Sequence, residues 1–367
     1  MPATVRSFAK INLGLRIGPR RADGFHELRT VYQTIGLHDI LRLELRRGSG
    51  IEIRCADPRV PTDQTNTCYK ILELAMAALK AKGRVLLEIE KRLPVQGGLG
   101  GASGNAVAAM LALELALKKS LPRAERLRIA AEVGSDVPLF LVAGTILGLG
   151  RGEEVYPLPD LSPTPCVIAT PEVGISTPKA FAEWDLLLPQ AAKPAELRSA
   201  WTDEGVRPHV SYFDRKVGDE PHIDSSKLTQ LTPSDRIDTF GREISAWLSS
   251  VPAKKTSKER LSGVPAKGRV RAETLLLDLV RTGIENDFEK VVFPQYPALR
   301  DVKCALERAG AVYASLSGSG SALYGLFRTK AQAEKAAARL HEQGIPAQAT
   351  ATLTRPQYWK KFQVPRF

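Results

Sequence analysis

Apolar and polar positions alternate through Val5 to Ile17, through Leu41-Arg-Leu-Glu-Leu-Arg46 and through Ile51 to Arg54, with Gly, Asp and Arg turns between them. A period of two predicts β-strands. At Thr67 to Lys82 the apolar spacing lengthens to that of a helix, and at Val85 to Lys91 it returns to alternation. A glycine-dense stretch then runs straight into an Ala/Leu-rich helix at Ala102 to Lys118, followed by a helix at Arg123 to Val133 and strands at Gly144 to Leu149 and Val167 to Thr170.

From about Trp184 to Lys267 the pattern degrades into Pro, Ser, Lys and Asp, with one helix at Pro233 to Leu248. We read this stretch as an insertion, at least partly flexible. Helices follow at Arg271 to Thr282 and Ala298 to Gly310, then strands at Ala311 to Ser315 and Ala322 to Phe327, a helix at Lys330 to Gln343 and a strand at Ala347 to Leu353. The class is α+β. A chain of 367 residues favours two domains, and we expect them at 1–160 and 161–367, the second carrying the 184–267 insertion.

Composition adds exclusions. At 43% apolar and 25% charged the chain has the profile of an ordinary globular protein. The start lacks an apolar signal core and no run of about eighteen uncharged apolar residues exists, so we expect a cytoplasmic protein with no membrane partner. The four cysteines are scattered, which suggests neither a zinc site nor a disulfide framework. The net charge of +12 fits nucleic acid or an anionic substrate alike. The basic residues lack aromatic interleaving, so nucleic acid is not the expected partner.

Five segments carry candidate chemistry. Arg92-Leu-Pro-Val-Gln-Gly-Gly-Leu-Gly-Gly-Ala-Ser-Gly-Asn-Ala106 joins a strand to a helix. Its glycines allow positive φ and close approach, and the following first turn offers unpartnered N–H groups, a combination that anions favour. It lacks the Gly-Lys-Ser/Thr of a Walker loop and the setting of a Rossmann fingerprint. On Phe8-Ala-Lys-Ile-Asn-Leu13, Lys10, Asn12 and Gly14 share one strand face, either a site or a solvated surface. Arg21-Ala-Asp-Gly-Phe-His26 is a tight turn that projects Phe25 and His26, suited to a flat heterocycle or simply a hairpin. Asp136, in Gly134-Ser-Asp-Val-Pro138, is a helix cap or a general base. Ser315-Leu-Ser-Gly-Ser-Gly-Ser321 is a second nest of N–H groups or a Gly-rich hairpin.

In this order the five segments resemble the GHMP superfamily of small-molecule kinases. Pro94-Val-Gln-Gly-Gly-Leu-Gly-Gly-Ala-Ser-Gly104 is similar to its Pro-x-x-x-Gly-Leu-Gly-Ser-Ser/Gly loop, and Leu316 to Ser321 to its C-terminal glycine motif. Ala9-Lys-Ile-Asn-Leu13, Arg21-Ala-Asp-Gly-Phe-His-Glu-Leu28, Val31-Tyr-Gln33 and Gly134-Ser-Asp-Val-Pro138 are similar to the signatures of the 4-diphosphocytidyl-2-C-methyl-D-erythritol kinase family. The resemblance covers roughly residues 5–181 and 268–353.

It implies an N-terminal ribosomal-S5-like domain and a C-terminal ferredoxin-like α/β sandwich, with the active site in the cleft between them. It also implies ATP-dependent phosphorylation of the 2-hydroxyl of a small cytidine diphosphate substrate, with Mg²⁺, by a monomer or homodimer. Carried over residue by residue, Asp136 is the catalytic carboxylate and Lys10 its partner. Pro94, Val95, Gln96, Gly97, Gly98, Leu99, Gly100, Gly101, Ala102, Ser103 and Gly104 hold the ATP phosphates, with Ser103 a candidate metal ligand. Asn12 lies near the substrate hydroxyls or phosphates, and Thr177 belongs to the Thr-Pro-x-x-x-Phe segment. Phe25 and Phe181 sandwich the cytosine, His26 reads its edge, and Gly318, Ser319 and Gly320 line the cleft.

Phe25 replaces the family's usual Tyr, which keeps the π face and forfeits a hydroxyl. Gln96, Ala102 and Gly104 also depart from the pattern without removing the backbone cradle. The 184–267 insertion enters just after Phe181, and we expect it to extend from the surface rather than close over the cytidine pocket. Two other readings remain: a GHMP kinase with a homoserine or sugar acceptor, and an RNA-binding S5-like module.

Overall fold

The computed structural model describes residues 2–187 and 285–363. β1 (Ala3–Arg20) and β2 (His26–Arg46) form a long hairpin, its turn closed by Arg21 N–H to the Phe25 carbonyl. β2 also pairs with β4 (Arg84–Glu90) and β5 (Thr145–Leu149), while β3 (Gly50–Cys55) pairs with β4 and β6 (Glu154–Pro157) with β5. The result is a six-stranded sheet of order β3-β4-β2-β5-β6 with β1 on β2. Only β3 and β4 run parallel, joined by the crossover helix α1 (Thr67–Ala78).

α2 (Gly101–Leu117) is apolar all round and buries Ala106 to Leu113 in one core with Ile71 and Leu72 of α1, Leu41 and Leu43 of β2 and Val85 and Leu87 of β4. A helix without a polar face belongs in such an interior. α3 (Arg123–Val133) and the short α4 (Leu139–Val142) add Ile129 and Phe140 to it.

β7 (Pro165–Ala169), β8 (Tyr313–Leu316), β9 (Leu323–Leu326) and β10 (Ala347–Ala351) make a second, antiparallel sheet of order β10-β7-β9-β8. That is the strand order of a ferredoxin-like sandwich. α5 (Thr177–Leu187), α6 (Glu289–Gln295), α7 (Pro297–Arg308) and α8 (Lys330–Glu342) share a second core with Val167, Ala314 and Leu323. A third core joins the sheets, where Ile11 and Leu13 of β1 meet Tyr324 and Leu326 of β9. α9 (Arg355–Phe362) returns to the first core through Tyr358 and Phe362.

Several expectations change. β2 begins at His26 rather than Leu41, and β6, α4, α6 and α9 are not expected from the sequence pattern. The insertion cannot begin at Trp184, because Trp184 is 1% exposed inside the second core and α5 continues to Leu187. The helices expected at Pro233 to Leu248 and Arg271 to Thr282 lie outside the described residues.

Candidate active site

The loop from Pro94 to Gly100 leaves β4 and enters α2. Gly98 and Gly100 take φ of +72° and +67°, and Gln96 is left-handed at +61°. Gly100 caps α2 with no side chain in attendance, which leaves the N–H groups of Gly101, Ala102 and Ser103 aimed outward at the positive end of the helix. They border a cavity of about 340 Å³ whose lining includes Arg59, Thr65, Asn66, Lys91, Gly97 and Ser103.

A buried carboxylate shapes this loop from behind. Asp39 Oδ1 accepts from the backbone N–H of Arg92 and of Leu93, each at 2.7 Å, and Oδ2 accepts from Lys91 Nζ at 2.7 Å and Asn105 Nδ2 at 3.0 Å. Asp39 is fully buried. Sequence reasoning passed over it, although a lone acid between Leu37 and Ile40 in an apolar run is itself a signal of a buried partner.

The second glycine segment is the hairpin loop between β8 and β9, and it lies directly on the first. Ser317 Oγ donates to the Gly98 carbonyl at 3.0 Å, and Ala322 N–H to that of Gly97 at 3.1 Å. Asn286, 2% exposed, holds it in place by donating from Nδ2 to the carbonyls of Leu316 and Gly318, both at 2.8 Å. Asn286 is tied in turn to β1, where Leu15 N–H donates to Glu285 and Asp287 N–H to Leu15. The sequence reading also missed Asn286. Its available signal was Glu-Asn-Asp-Phe-Glu289, polar residues around one Phe just before an apolar pair.

Lys10 and Asn12 do share a strand face, but that face is buried, the two residues being 3% and 1% exposed. Lys10 Nζ donates to Asn12 Oδ1 at 2.6 Å, and Asn12 Nδ2 to Thr30 Oγ1 at 2.8 Å. Lys10 Nζ also lies 3.4 Å from Asp136 Oδ2. Tyr32 donates its hydroxyl to Asp136 Oδ1 at 3.0 Å. Asp136 is therefore no helix cap: its carboxylate is gripped on both oxygens and remains 35% exposed. Burial, with the Asp136 and Glu153 charges behind it, pushes the Tyr32 phenol well above its ordinary range, so it stays a donor.

A methyl group at Gly100 would come within 3.1 Å of Lys10 Cγ, and one at Gly318 within 3.5 Å of Lys10 Nζ. Lys10 thus lies between the two glycine loops, with Asp136 beside it.

The other end of the cleft carries the aromatic residues. Phe181 is face to face with His26, ring centres 4.9 Å apart and planes 6° apart, and edge-on to Phe288. Phe25 is 51% exposed and its ring lies under the Arg151 guanidinium at 4.9 Å. Among the described residues Phe181 packs directly on His26, while Phe25 stands exposed on the turn before β2. His26 Nε2 meets Asp185 Oδ1 of α5 at 2.7 Å, and Thr177 is bonded to Ser319 at 2.7 Å, linking α5 to the second glycine loop.

No described helix is long and apolar enough to cross a membrane, and the described residues hold no His/Cys/Asp/Glu cluster able to bind a metal by itself.

Residues 66–144 match the GHMP kinases N terminal domain and residues 272–346 the GHMP kinases C terminal domain. A 4-diphosphocytidyl-2-C-methyl-D-erythritol kinase of Solibacter usitatus is 33% identical over 89% of this chain and 82% of its own length. One from Acaryochloris marina is 31% identical over 92% and 91%. Among solved structures, a 4-(cytidine 5'-diphospho)-2C-methyl-D-erythritol kinase superposes with a TM-score of 0.63 at 25% identity, covering 95% of this chain and 98% of that one. A homoserine kinase from Cytophaga hutchinsonii shares the fold, with a TM-score of 0.62 at 18% identity over 96% and 95%.

Proposed function

The chain belongs to the 4-diphosphocytidyl-2-C-methyl-D-erythritol kinase family of the GHMP kinases, and from that premise we propose that it moves the γ-phosphoryl group of ATP to the 2-hydroxyl of 4-diphosphocytidyl-2-C-methyl-D-erythritol. The observation that carries the site assignment is the Lys10–Asp136 pair, set between two glycine loops that touch each other.

Such a transfer breaks the bond between the γ-phosphorus and the ADP oxygen and forms one to the acceptor oxygen, whose proton must leave. Asp136 is placed to take that proton, having one carboxylate oxygen beside the Lys10 cation and the other beside the Tyr32 hydroxyl. The cation keeps the carboxylate ionised and balances charge as it builds on the phosphoryl oxygens. Phosphoryl transfer has a loose transition state, so placement counts for more than base strength. Asn12, locked between Lys10 and Thr30, fixes the direction in which Lys10 points.

In this reading the backbone from Pro94 to Gly104 receives the ATP phosphates, and Gly318 to Gly320 close the far side. ATP is the family's phosphate donor, and we assign Mg²⁺ as its companion. Ser103 fits that ion: it lines the cavity at the first turn of α2 and has no hydrogen-bond partner among the described residues. Magnesium ordinarily keeps several waters and takes few protein ligands beside phosphate oxygens. It would supply charge neutralisation at the phosphates, held there by Ser103. The cytosine falls to Phe25 and Phe181 on its faces and to His26 on its edge, with Thr177 at the border. The domain limits we assign are 1–160 and 161–367, consistent with the second sheet beginning at β7.

The direct test is ADP release by the purified protein with the cytidine diphosphate substrate, with homoserine and with galactose. Turnover confined to the first is the expected result. Turnover confined to either of the others would reject the substrate assignment while keeping the kinase.

A further inference from the structure

The reading above has His26 meet the edge of the pyrimidine, and a neutral imidazole can do that in two ways. Either ring nitrogen can carry the single proton, and the other is then an acceptor. A side chain that offers an acceptor and one that offers a donor select opposite bases. The choice is made by whatever the far nitrogen touches.

In this structure the far nitrogen touches Asp185. Its Oδ1 lies 2.7 Å from His26 Nε2, and His26 is 6% exposed. The ring is also held flat against Phe181, with 6° between the planes, so rotation about its own axis would break the stack and the hydrogen bond together. Asp185 and Phe181 lie four residues apart on α5, one turn of helix, and therefore approach the imidazole from the same side. Phe288 props Phe181 edge-on from behind. His26 Nδ1 has no hydrogen-bond partner among the described residues. α5 thus presents a matched pair, one residue for the face of the imidazole and one for its edge.

We propose that Asp185 is a positioning and specificity-determining residue. It accepts the Nε2–H proton of His26 and so leaves Nδ1 as a fixed acceptor, which favours a 4-aminopyrimidine over a 4-oxopyrimidine. The exocyclic amine of cytosine donates to that lone pair, whereas the 4-oxygen of uracil sets lone pair against lone pair. A site built to accept a hydrogen bond rejects an analogue that cannot give one more strongly than a merely apolar pocket does. The inference rests on the functional reading only for the identity of the base. The proton on Nε2 follows from the Asp185 contact alone, because a carboxylate oxygen accepts and does not donate.

Two measurements test it separately. The first is the imidazole nitrogen spectrum of the free, ¹⁵N-labelled protein at about pH 8, above the ordinary histidine range, with the His26 resonances assigned through His26→Gln. The Nε2–H form in the wild type and a mixture in Asp185→Ala are expected. The Nδ1–H form in the wild type would overturn the proposal.

The second is steady-state kinetics with the cytidine substrate and its uridine counterpart. Asp185→Ala should raise KM for the cytidine substrate about 10-fold, leave KM for ATP unchanged, and shrink the cytidine-over-uridine preference. Asp185→Glu, which restores the carboxylate, should recover most of that preference. A helix merely loosened by the substitution would weaken both nucleotides alike, and an unchanged preference ratio in Asp185→Ala would overturn the specificity role. If the wild type turned over neither nucleotide while still showing the Nε2–H form, the functional reading would fail and the tautomer assignment would stand.

Discussion

Ser317 donates its hydroxyl to the carbonyl of Gly98 at 3.0 Å, so the two glycine loops, more than two hundred residues apart in sequence, are in direct contact. The approach is close because Gly98 has no side chain. A methyl group there would overlap the Ser317 carbonyl oxygen and reach within 3.0 Å of the Gly320 carbonyl, and the φ of +72° is costly for any L-residue. We predict that Gly98→Ala costs about 2 to 4 kcal/mol of stability through strain and overpacking, and raises KM for ATP. Urea unfolding and an ATP titration check this. An unchanged midpoint with an unchanged KM would mean that the loops do not press on each other.

The Lys10–Asp136 pair separates chemistry from binding. Asp136→Asn keeps the size and the Tyr32 contact but removes the proton acceptor, and should lower kcat by about 100-fold or more. Lys10→Ala should act on kcat by a similar factor, by withdrawing the cation 3.4 Å from the carboxylate. Neither residue holds the nucleotide in our reading, so KM for ATP should change little in both. Tyr32→Phe, which loses only the 3.0 Å bond to Asp136, should fall between these variants and the wild type. A kcat for Asp136→Asn within a few-fold of the wild type would remove it from the proton transfer.

How far the sequence led differs between fold and site. The C-terminal order of helix, two strands, helix and strand was legible because its apolar faces alternate cleanly, and β8, β9, α8 and β10 fall within a few residues of their expected limits. The stretch of β2 before Leu41 was not legible. It buries Thr30, Gln33, Thr34 and Asp39 along with Val31 and Ile35, and a strand with polar partners in its interior shows no alternation to detect. α9 escaped notice because eight residues of mixed polarity give little period, though two of them, Tyr358 and Phe362, are buried. At the site, the shared face of Lys10 and Asn12 followed from strand geometry, but the pairing of Lys10 with Asp136 did not, since no spacing rule connects residues that meet only through the tertiary fold. The resemblance supplied that pair. It was silent on Asp39, Asn286 and Asp185, which act through the backbone or through another side chain.

Asp39 gives a prediction about the loop that is independent of its glycines. Four donors converge on its carboxylate, one of them the Lys91 ammonium, which has no other carboxylate partner among the described residues. Asp39→Asn would leave the Lys91 charge, 8% exposed, without its anion. Breaking a buried pair from one side costs about 3 to 5 kcal/mol. The double variant Asp39→Asn with Lys91→Met should recover part of this loss. Thermal unfolding of the three variants checks the sign: a double variant less stable than Asp39→Asn alone would show that Lys91 is not the stranded charge.

The buried thiols and phenols predict how stability responds to alkali. Burial pushes Cys68 and Cys166 above the ordinary cysteine range, and it does the same to Tyr32, Tyr313, Tyr324 and Tyr358 relative to free tyrosine. These groups keep their protons in the native state after the unfolded chain has lost them. Their contribution is therefore complete below the unfolded values, about 8.5 for Cys and 10 for Tyr, and declines as pH rises toward the elevated native ones. Between those limits each group removes about 1.4 kcal/mol per pH unit. The cysteines act first. Together they should lower stability by roughly 2 to 3 kcal/mol between about pH 9 and pH 10, before the phenols steepen the slope. Replacing both with Ala costs packing at every pH but removes this early decline, so the stability difference between wild type and double variant should narrow by that amount over the interval. Urea midpoints at half-unit steps measure it. A difference that stays constant from neutral pH to about pH 10 would mean that the two thiols ionise as readily in the native protein as in the unfolded chain.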